Sequence, residues 1–205
     1  MTPRTPEQAA DIRQQRRREL LDAARELFAA KGFEKTNVSD IAARAGVSQG
    51  TIYWYFKSKD ELLMAVFEDW LAGLAQDYAT IVSAPGTAQD HLARYAQAAA
   101  RRMKEAEHLI LVEAEFWALI FRREAIRQRF HDLFRLLRTN IAALLREGIA
   151  SGELRSDINP DHLAAISIAV YDGLILQWAA EPEAVDWDAV TESFLDAVFN
   201  GCCPR

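Results

Sequence analysis

Cysteine is nearly missing from this chain of 205 residues: Cys202 and Cys203 are adjacent, so no disulfide framework can form. That scarcity fits a reducing compartment, and a cytoplasmic protein is the expectation. The N-terminal stretch carries arginines but no apolar core segment, which argues against a secretory signal. Strand-like alternation is lacking, as are repeats, a glycine-rich phosphate loop, a nucleophile elbow and a catalytic carboxylate pair. His91, His108, His131 and His162 are dispersed without ligand spacing, so no metal site is expected. Neither a cofactor nor an enzymatic activity is expected. The longest apolar stretch, Leu163 to Ala180, is interrupted by Asp172 and Gln177. A charge near the middle of a membrane-spanning helix is unfavourable, so an interface helix explains this run better than a membrane does.

What charge there is lies unevenly. The net formal charge is −6, but residues 1–60 hold 11 Lys/Arg against 8 Asp/Glu (+3), and residues 61–205 hold 13 against 22 (−9). A basic excess confined to one end is the pattern that phosphate attraction needs.

The periodicity predicts helices almost throughout. The first spans about Ile12 to Lys31, with Leu20, Ala23, Ala24, Leu27 and Phe28 on one stripe and Gly32 as a left-handed stop. The second starts at Asn37, a residue able to cap it, and the third runs from Ser48 to near Phe56. Ser58 with Glu61 has the spacing of a capping box and opens a long fourth helix through Tyr78 or beyond. Helices follow over about 88–104, 107–121, 124–150 and 160–180, and a last one is capped by Asp186. This makes about nine helices, an all-α chain.

Between Thr36 and Glu61 the chain reads TNVSDIAARAGVSQGTIYWYFKSKDE. Ile41, Ala42, Ala45, Val47, Ile52 and Tyr55 are spaced to pack two short helices together, and Gly46 sits where the turn between them needs positive φ. Such a pair, with polar and aromatic groups on its second helix, is built to enter a DNA major groove. Gln49 can make a bidentate contact to adenine, and Thr51 can meet a phosphate or a thymine methyl. Gly50, Tyr53, Trp54 and Tyr55 share the same turns, although either tyrosine is also a candidate for core packing. Ser48 caps the helix and leaves its positive end facing outward. Lys59 stands at the first position of its helix, where the dipole disfavours a cation, so a nearby phosphate is one expectation and a solvated lysine the other. Thr36 is a second candidate phosphate donor. Arg13, Arg16, Arg17 and Arg18 form either a solvated face or a backbone and minor-groove contact. The tail before them, with Pro3 and Pro6, is expected to be disordered without DNA.

Residues from about 13 to 73 resemble the DNA-binding region of TetR-family bacterial transcriptional regulators, through the run GFEKTNVSDIAARAGVSQGTIYWYFKSKDEL. Ala42, Gly46, Val47, Thr51-Ile52-Tyr53, Tyr55-Phe56 and Ser58 to Leu62 carry the likeness; the family often has histidine where this chain has Tyr55. The resemblance implies an all-helical homodimer with a small DNA-reading N-terminal domain and a larger effector-binding C-terminal domain. The corresponding divisions are an arm, 1–11, a helix-turn-helix domain, 12–58, and an effector and dimerisation domain, 59–205.

In the C-terminal part, Trp70, Tyr78, Tyr95, Met103, Phe116, Trp117, Phe121, Phe134 and Asn140 are candidates to line an apolar pocket, or else plain core. Glu113 and Glu115 interrupt the apolar 107–121 run, and either, facing inward, is a candidate polar anchor for a ligand, with a surface or helix-pairing role as the alternative. The 163–180 helix is apolar on more than one face and the last helix shows a similar excess. Two such helices from each subunit would form a four-helix interface through Ala165, Ile168, Ala169, Gly173, Phe194, Leu195, Val198 and Phe199, the alternative being a core helix within one subunit. The reading is a homodimeric repressor that binds a roughly palindromic double-stranded DNA operator and is released by a small hydrophobic effector. A helical interaction protein that acts through a protein partner without reading DNA is the alternative.

Overall fold

In the computed structural model, which describes residues 5–105, 117 and 119–202, the chain is all-α, and no strand occurs among the described residues. The first helix, α1 (Pro6–Lys31), starts six residues before the expected Ile12. Thr5 and Gln8 explain this: the Thr5 hydroxyl accepts from Gln8 N at 3.2 Å while the Gln8 amide oxygen accepts from Thr5 N at 3.1 Å. Pro6 occupies the first helical position, where its missing N–H leaves nothing unsatisfied, so it begins the helix rather than preventing it. Gly32 ends α1 with φ 77° and ψ 161°, a positive-φ but extended conformation rather than the expected left-handed turn, and one essentially restricted to glycine.

The pair α2 (Val38–Arg44) and α3 (Gln49–Tyr55) is joined through Gly46 at φ 65°, as the sequence requires. Asn37 precedes α2 but makes no side-chain capping bond. A long helix, α4 (Lys59–Ser83), follows, its start capped by the Ser58 hydroxyl, which accepts from Glu61 N at 3.1 Å. The Glu61 carboxylate turns to Lys57 N (2.7 Å) instead of Ser58 N, so only half of the expected capping box forms. Six consecutive residues of α4, Leu62 to Phe67, are buried, because α1, α2 and α3 surround one side and the C-terminal helices the other. One apolar cluster accordingly runs from Leu20 and Phe28 through Ile41, Ile52 and Leu63 to Phe130.

Beyond α4 come α5 (Ala88–Glu105), α6 (Glu124–Ser151), α7 (Pro160–Ala180) and α8 (Trp187–Cys202). Most of the helix expected over 107–121 lies outside the described residues. The later caps follow the sequence: Asn159 Oδ1 accepts from Asp161 N and His162 N at 3.0 Å, and Asp186 Oδ1 accepts from Asp188 N and Ala189 N at 3.1 Å. A tie the sequence did not reveal joins α5 to the end of α6: the Glu153 carboxylate accepts from Ala88 N and Gln89 N at the positive end of α5. Those bonds hold its pKa below the ordinary glutamate value against the opposing effect of burial. α7 packs along α6 and α8 along α5. By length and composition α7 could cross a membrane, yet its charge at Asp172 and its packing against α6 are those of a bundle helix.

Candidate DNA-reading face and ligand cavity

The α2–α3 unit rests on a closed core. Ile41, Ala42, Ile52 and Phe56 are buried against Leu20, Phe28 and Leu62, and Tyr55 is half-buried with its ring at the edge of Trp54 (4.6 Å between centroids). That fixes which side of α3 faces outward. Gln49, Gly50, Tyr53 and Trp54 are exposed, Tyr53 at 50% and Trp54 at 66%. Positions i, i+1, i+4 and i+5 make one continuous helix face. The expected cap forms, with Ser48 Oγ accepting from Thr51 N at 3.1 Å and lying 3.0 Å from the Thr51 hydroxyl. Thr51 is half-buried at the edge of the face.

Two expected phosphate contacts are corrected. Thr36 is completely buried, and its hydroxyl donates to the carbonyls of Gly32 (2.7 Å) and Leu27 (3.2 Å). It ties the end of α1 to the following loop and has no surface to offer DNA. Lys59 likewise points inward. Its ammonium donates to the carbonyls of Phe33 (2.8 Å), Thr36 (3.1 Å) and Glu34 (3.3 Å) and lies 4.3 Å from the centre of the Phe33 ring. Three acceptors and a ring face offset the unfavourable helix position, so no phosphate is needed to explain this lysine. The arginine cluster divides. Arg16 pairs with Glu19, Arg13 donates to its own helix at Ala9 O, Arg17 covers the Phe56 ring (5.6 Å), and Arg18 is exposed.

From the reading domain α4 continues into a cavity of about 920 Å³, its open mouth included, bounded by α4, α5, α6, α7 and α8. Of the residues expected there, Trp70, Tyr95, Met103 and Phe134 line it. Tyr78 packs behind, edge-on to Tyr95 (5.8 Å between centroids), and Asn140 is buried beside the Tyr95 hydroxyl, short of hydrogen-bond geometry. Burial pushes the Tyr95 phenol up to about 12. Trp117 belongs to the aromatic stack with Phe130 and Phe134 rather than to the lining. Phe121 is 82% exposed in the turn before α6 and cannot line the cavity; its apolar character alone misled. Glu113, Glu115 and Phe116 lie outside the described residues.

The residues expected at a subunit interface separate into two sets. Ile168, Phe194, Leu195, Val198 and Phe199 line the cavity of a single chain. Ala165 and Ala169 are exposed on α7, where Ile166 (55%) and Leu176 (57%) extend the same apolar strip, and Gly173 has open space beside it. Two polar wall residues were not anticipated as such: Tyr171, whose hydroxyl donates to Ala96 O at 3.2 Å, and Asp172. Burial lifts the Asp172 carboxyl to about 6. The interruption of an apolar helix by this charge was the visible signal for it.

Residues 20–66 match the family model for bacterial regulatory proteins of the tetR family, and residues 88–200 match that of the C-terminal domain of BetI-type transcriptional repressors. The chain belongs to the TetR family. Among its relatives, the HTH-type transcriptional repressor KstR2 of Mycolicibacterium smegmatis is 32% identical over 208 residues, covering 98% of this chain and 95% of that protein. The crystal structure of the regulator FadR of Bacillus subtilis in complex with stearoyl-CoA has a TM-score of 0.79 at 25% identity, covering 89% of this chain and 97% of that one. A regulator from Saccharomonospora viridis in complex with choline shares the fold, with a TM-score of 0.81 at 23% identity over 94% of this chain and 100% of that one. This TetR-family protein is thus a DNA-binding, ligand-responsive transcriptional regulator, and an interaction protein that does not read DNA is not favoured.

Proposed function

We propose that the protein is a homodimeric repressor that releases a roughly palindromic operator when a small, largely apolar molecule fills the cavity. The observation that carries this reading is the course of α4. Its first turn is fastened by Lys59 to the loop that precedes α2, and its Phe67, Trp70, Leu71 and Leu74 form a wall of the cavity. A ligand that moves this wall shifts the reading unit at the other end of the same helix. Two α3 helices, one per subunit, enter successive major grooves about 34–36 Å apart, with Gln49, Gly50, Tyr53 and Trp54 turned to the bases and Thr51 and Tyr55 at the rim. The apolar strip of Ala165, Ile166, Ala169 and Leu176 on α7 supports pairing with a second copy, which would bury it. The molecules bound in the two solved structures, stearoyl-CoA and choline, differ too much to name an effector for this protein. Operator affinity falls by the ligand's differential affinity for the two states.

The test is selection of bound sequences from a random duplex pool, followed by anisotropy titrations of the winning duplex. A palindromic consensus, a 2:1 complex and affinity that falls steeply with salt are expected. Failure to enrich any duplex at low ionic strength would overturn the reading.

A further inference from the structure

The cavity wall is apolar apart from Ser167, the hydroxyls of Tyr95 and Tyr171, the Trp70 indole N–H and one carboxylate, Asp172. No lysine or arginine lines it, and among the described residues Asp172 forms neither an ion pair nor a hydrogen bond. The segment 106–116, outside the described residues, contains no lysine or arginine, and its one basic residue is His108. An uncompensated carboxylate in such surroundings is unfavourable, and proteins ordinarily neutralise or pair it. The wall it belongs to is rich in aromatic rings: Tyr171 and Phe194, 6.4 Å apart between centroids, with Trp70, Tyr95 and Phe134. Ring faces and a carboxylate together are the chemistry that holds organic cations.

We infer that the cavity takes an apolar organic cation, an amine or quaternary ammonium compound whose positive centre is held by Asp172 and the aromatic rings of the same wall. This rests on the cavity being the effector site. Fatty acids and other apolar anions are disfavoured by the same carboxylate, since among the described residues no basic side chain lines the wall to receive them. The other titratable groups of the lining, the phenols of Tyr95 and Tyr171, are both pushed up by burial, so at neutral pH Asp172 is the charge a ligand meets. The Trp70 Nε1 is buried without a hydrogen-bond partner and is available to an acceptor elsewhere on the ligand.

The experiment compares decyltrimethylammonium, decanol, decanoate and decanoyl-CoA, all below their micellar concentrations, by calorimetry on the full-length protein and on Asp172→Asn and Asp172→Glu. Wild type is expected to bind the ammonium about tenfold more tightly than the alcohol, with decanoate weakest. Asp172→Asn is expected to weaken the ammonium about tenfold or more while leaving decanol within about twofold, and Asp172→Glu to retain the order. Sedimentation of each variant runs in parallel, because α7 also carries the exposed apolar strip. Equal loss of ammonium and alcohol binding in Asp172→Asn, or altered association of subunits with an unchanged order of probes, would overturn the inference and assign Asp172 to the scaffold. Tighter binding of decanoate or decanoyl-CoA than of the ammonium would overturn it too. If the probes bind without preference the inference alone falls, whereas binding of none removes the effector site itself.

Discussion

The two halves of α4 lie in different surroundings. From Leu62 to Phe67 every side chain is buried, packed against α1, α2 and α3 on one side and Phe130 of α6 on another. From Trp70 to Tyr78 only Leu71 and Leu74 are buried, Ala72 and Gln76 are exposed and the remaining positions are half-buried, and the helix borders empty space. The first half is a close-packed joint and the second a compliant wall. Close packing transmits a displacement, while space permits one. A single helix therefore combines a stiff handle on the reading unit with a surface that a ligand can push.

The largest effects should break the stiff half. Leu63→Ala is expected to destabilise the protein by about 3–5 kcal/mol, because the surrounding side chains have no freedom to collapse into the hole. Leu137→Ala, at the cavity wall, should lose only about 1–2 kcal/mol, since its removal enlarges space already present. Denaturant titrations at one fixed subunit concentration decide this; equal losses would dissolve the distinction between the halves.

Next in size is the fastening at the head of α4. Lys59→Met leaves three loop carbonyls without their charged donor and is expected to weaken folding by about 2 kcal/mol. Operator affinity should fall as well, with an unchanged salt slope, because Lys59 gives no charge to phosphate. A slope reduced by about one per half-site would instead restore Lys59 as a phosphate contact.

The cavity that the compliant half borders has its own signature in pH, through Asp172 of α7. The folded-state pKa of Asp172, about 6, lies above the ordinary 3.8, so between those values the folded protein binds more protons than the unfolded one. The contribution of Asp172 to stability therefore falls as pH rises from about 4 to 6, and remains lowered above that. The difference from Asp172→Asn should grow by about 1–2 kcal/mol across the window, after allowance for partial exposure. Thermal melts of both proteins at pH 4.5 and 7 measure it, and a constant difference would show that the carboxylate is solvated.

Smallest in stability is Trp54→Ala, within about 0.5 kcal/mol, since its ring is largely in water. Its operator affinity should nonetheless drop clearly, which separates reading from folding.

The sequence was most legible where each residue has one job. In the α2–α3 pair, apolar spacing, Gly46 and the Ser48 cap left a single arrangement, and the exposed Gln49, Gly50, Tyr53 and Trp54 follow from it. Thr36 and Lys59 were misread for a shared reason: residue type at a helix start shows what a group could bind, not which carbonyls the fold brings to it. The partners of Lys59 are 23 to 26 positions away in the chain. The start of α1 was missed although Thr5-Pro6-Glu7-Gln8 carries a capping box, because two prolines suggested disorder. In the C-terminal half, aromatic residues serve core, cavity and interface alike, and periodicity cannot say which. Phe121 and Phe134 look equivalent in sequence, yet one is in solvent and the other lines the cavity.

The proposed coupling through α4 is tested most directly by the separation of the two reading units in the dimer. Spin labels at Ala43→Cys, an exposed position of α2, in a background with Cys202 and Cys203 replaced by serine, give that distance by pulsed electron resonance. The account predicts one narrow distribution on operator DNA and a distinct mean when the tightest-binding of the four decyl probes fills the cavity. The same distribution in both states, with operator affinity still reduced by the probe, would contradict it.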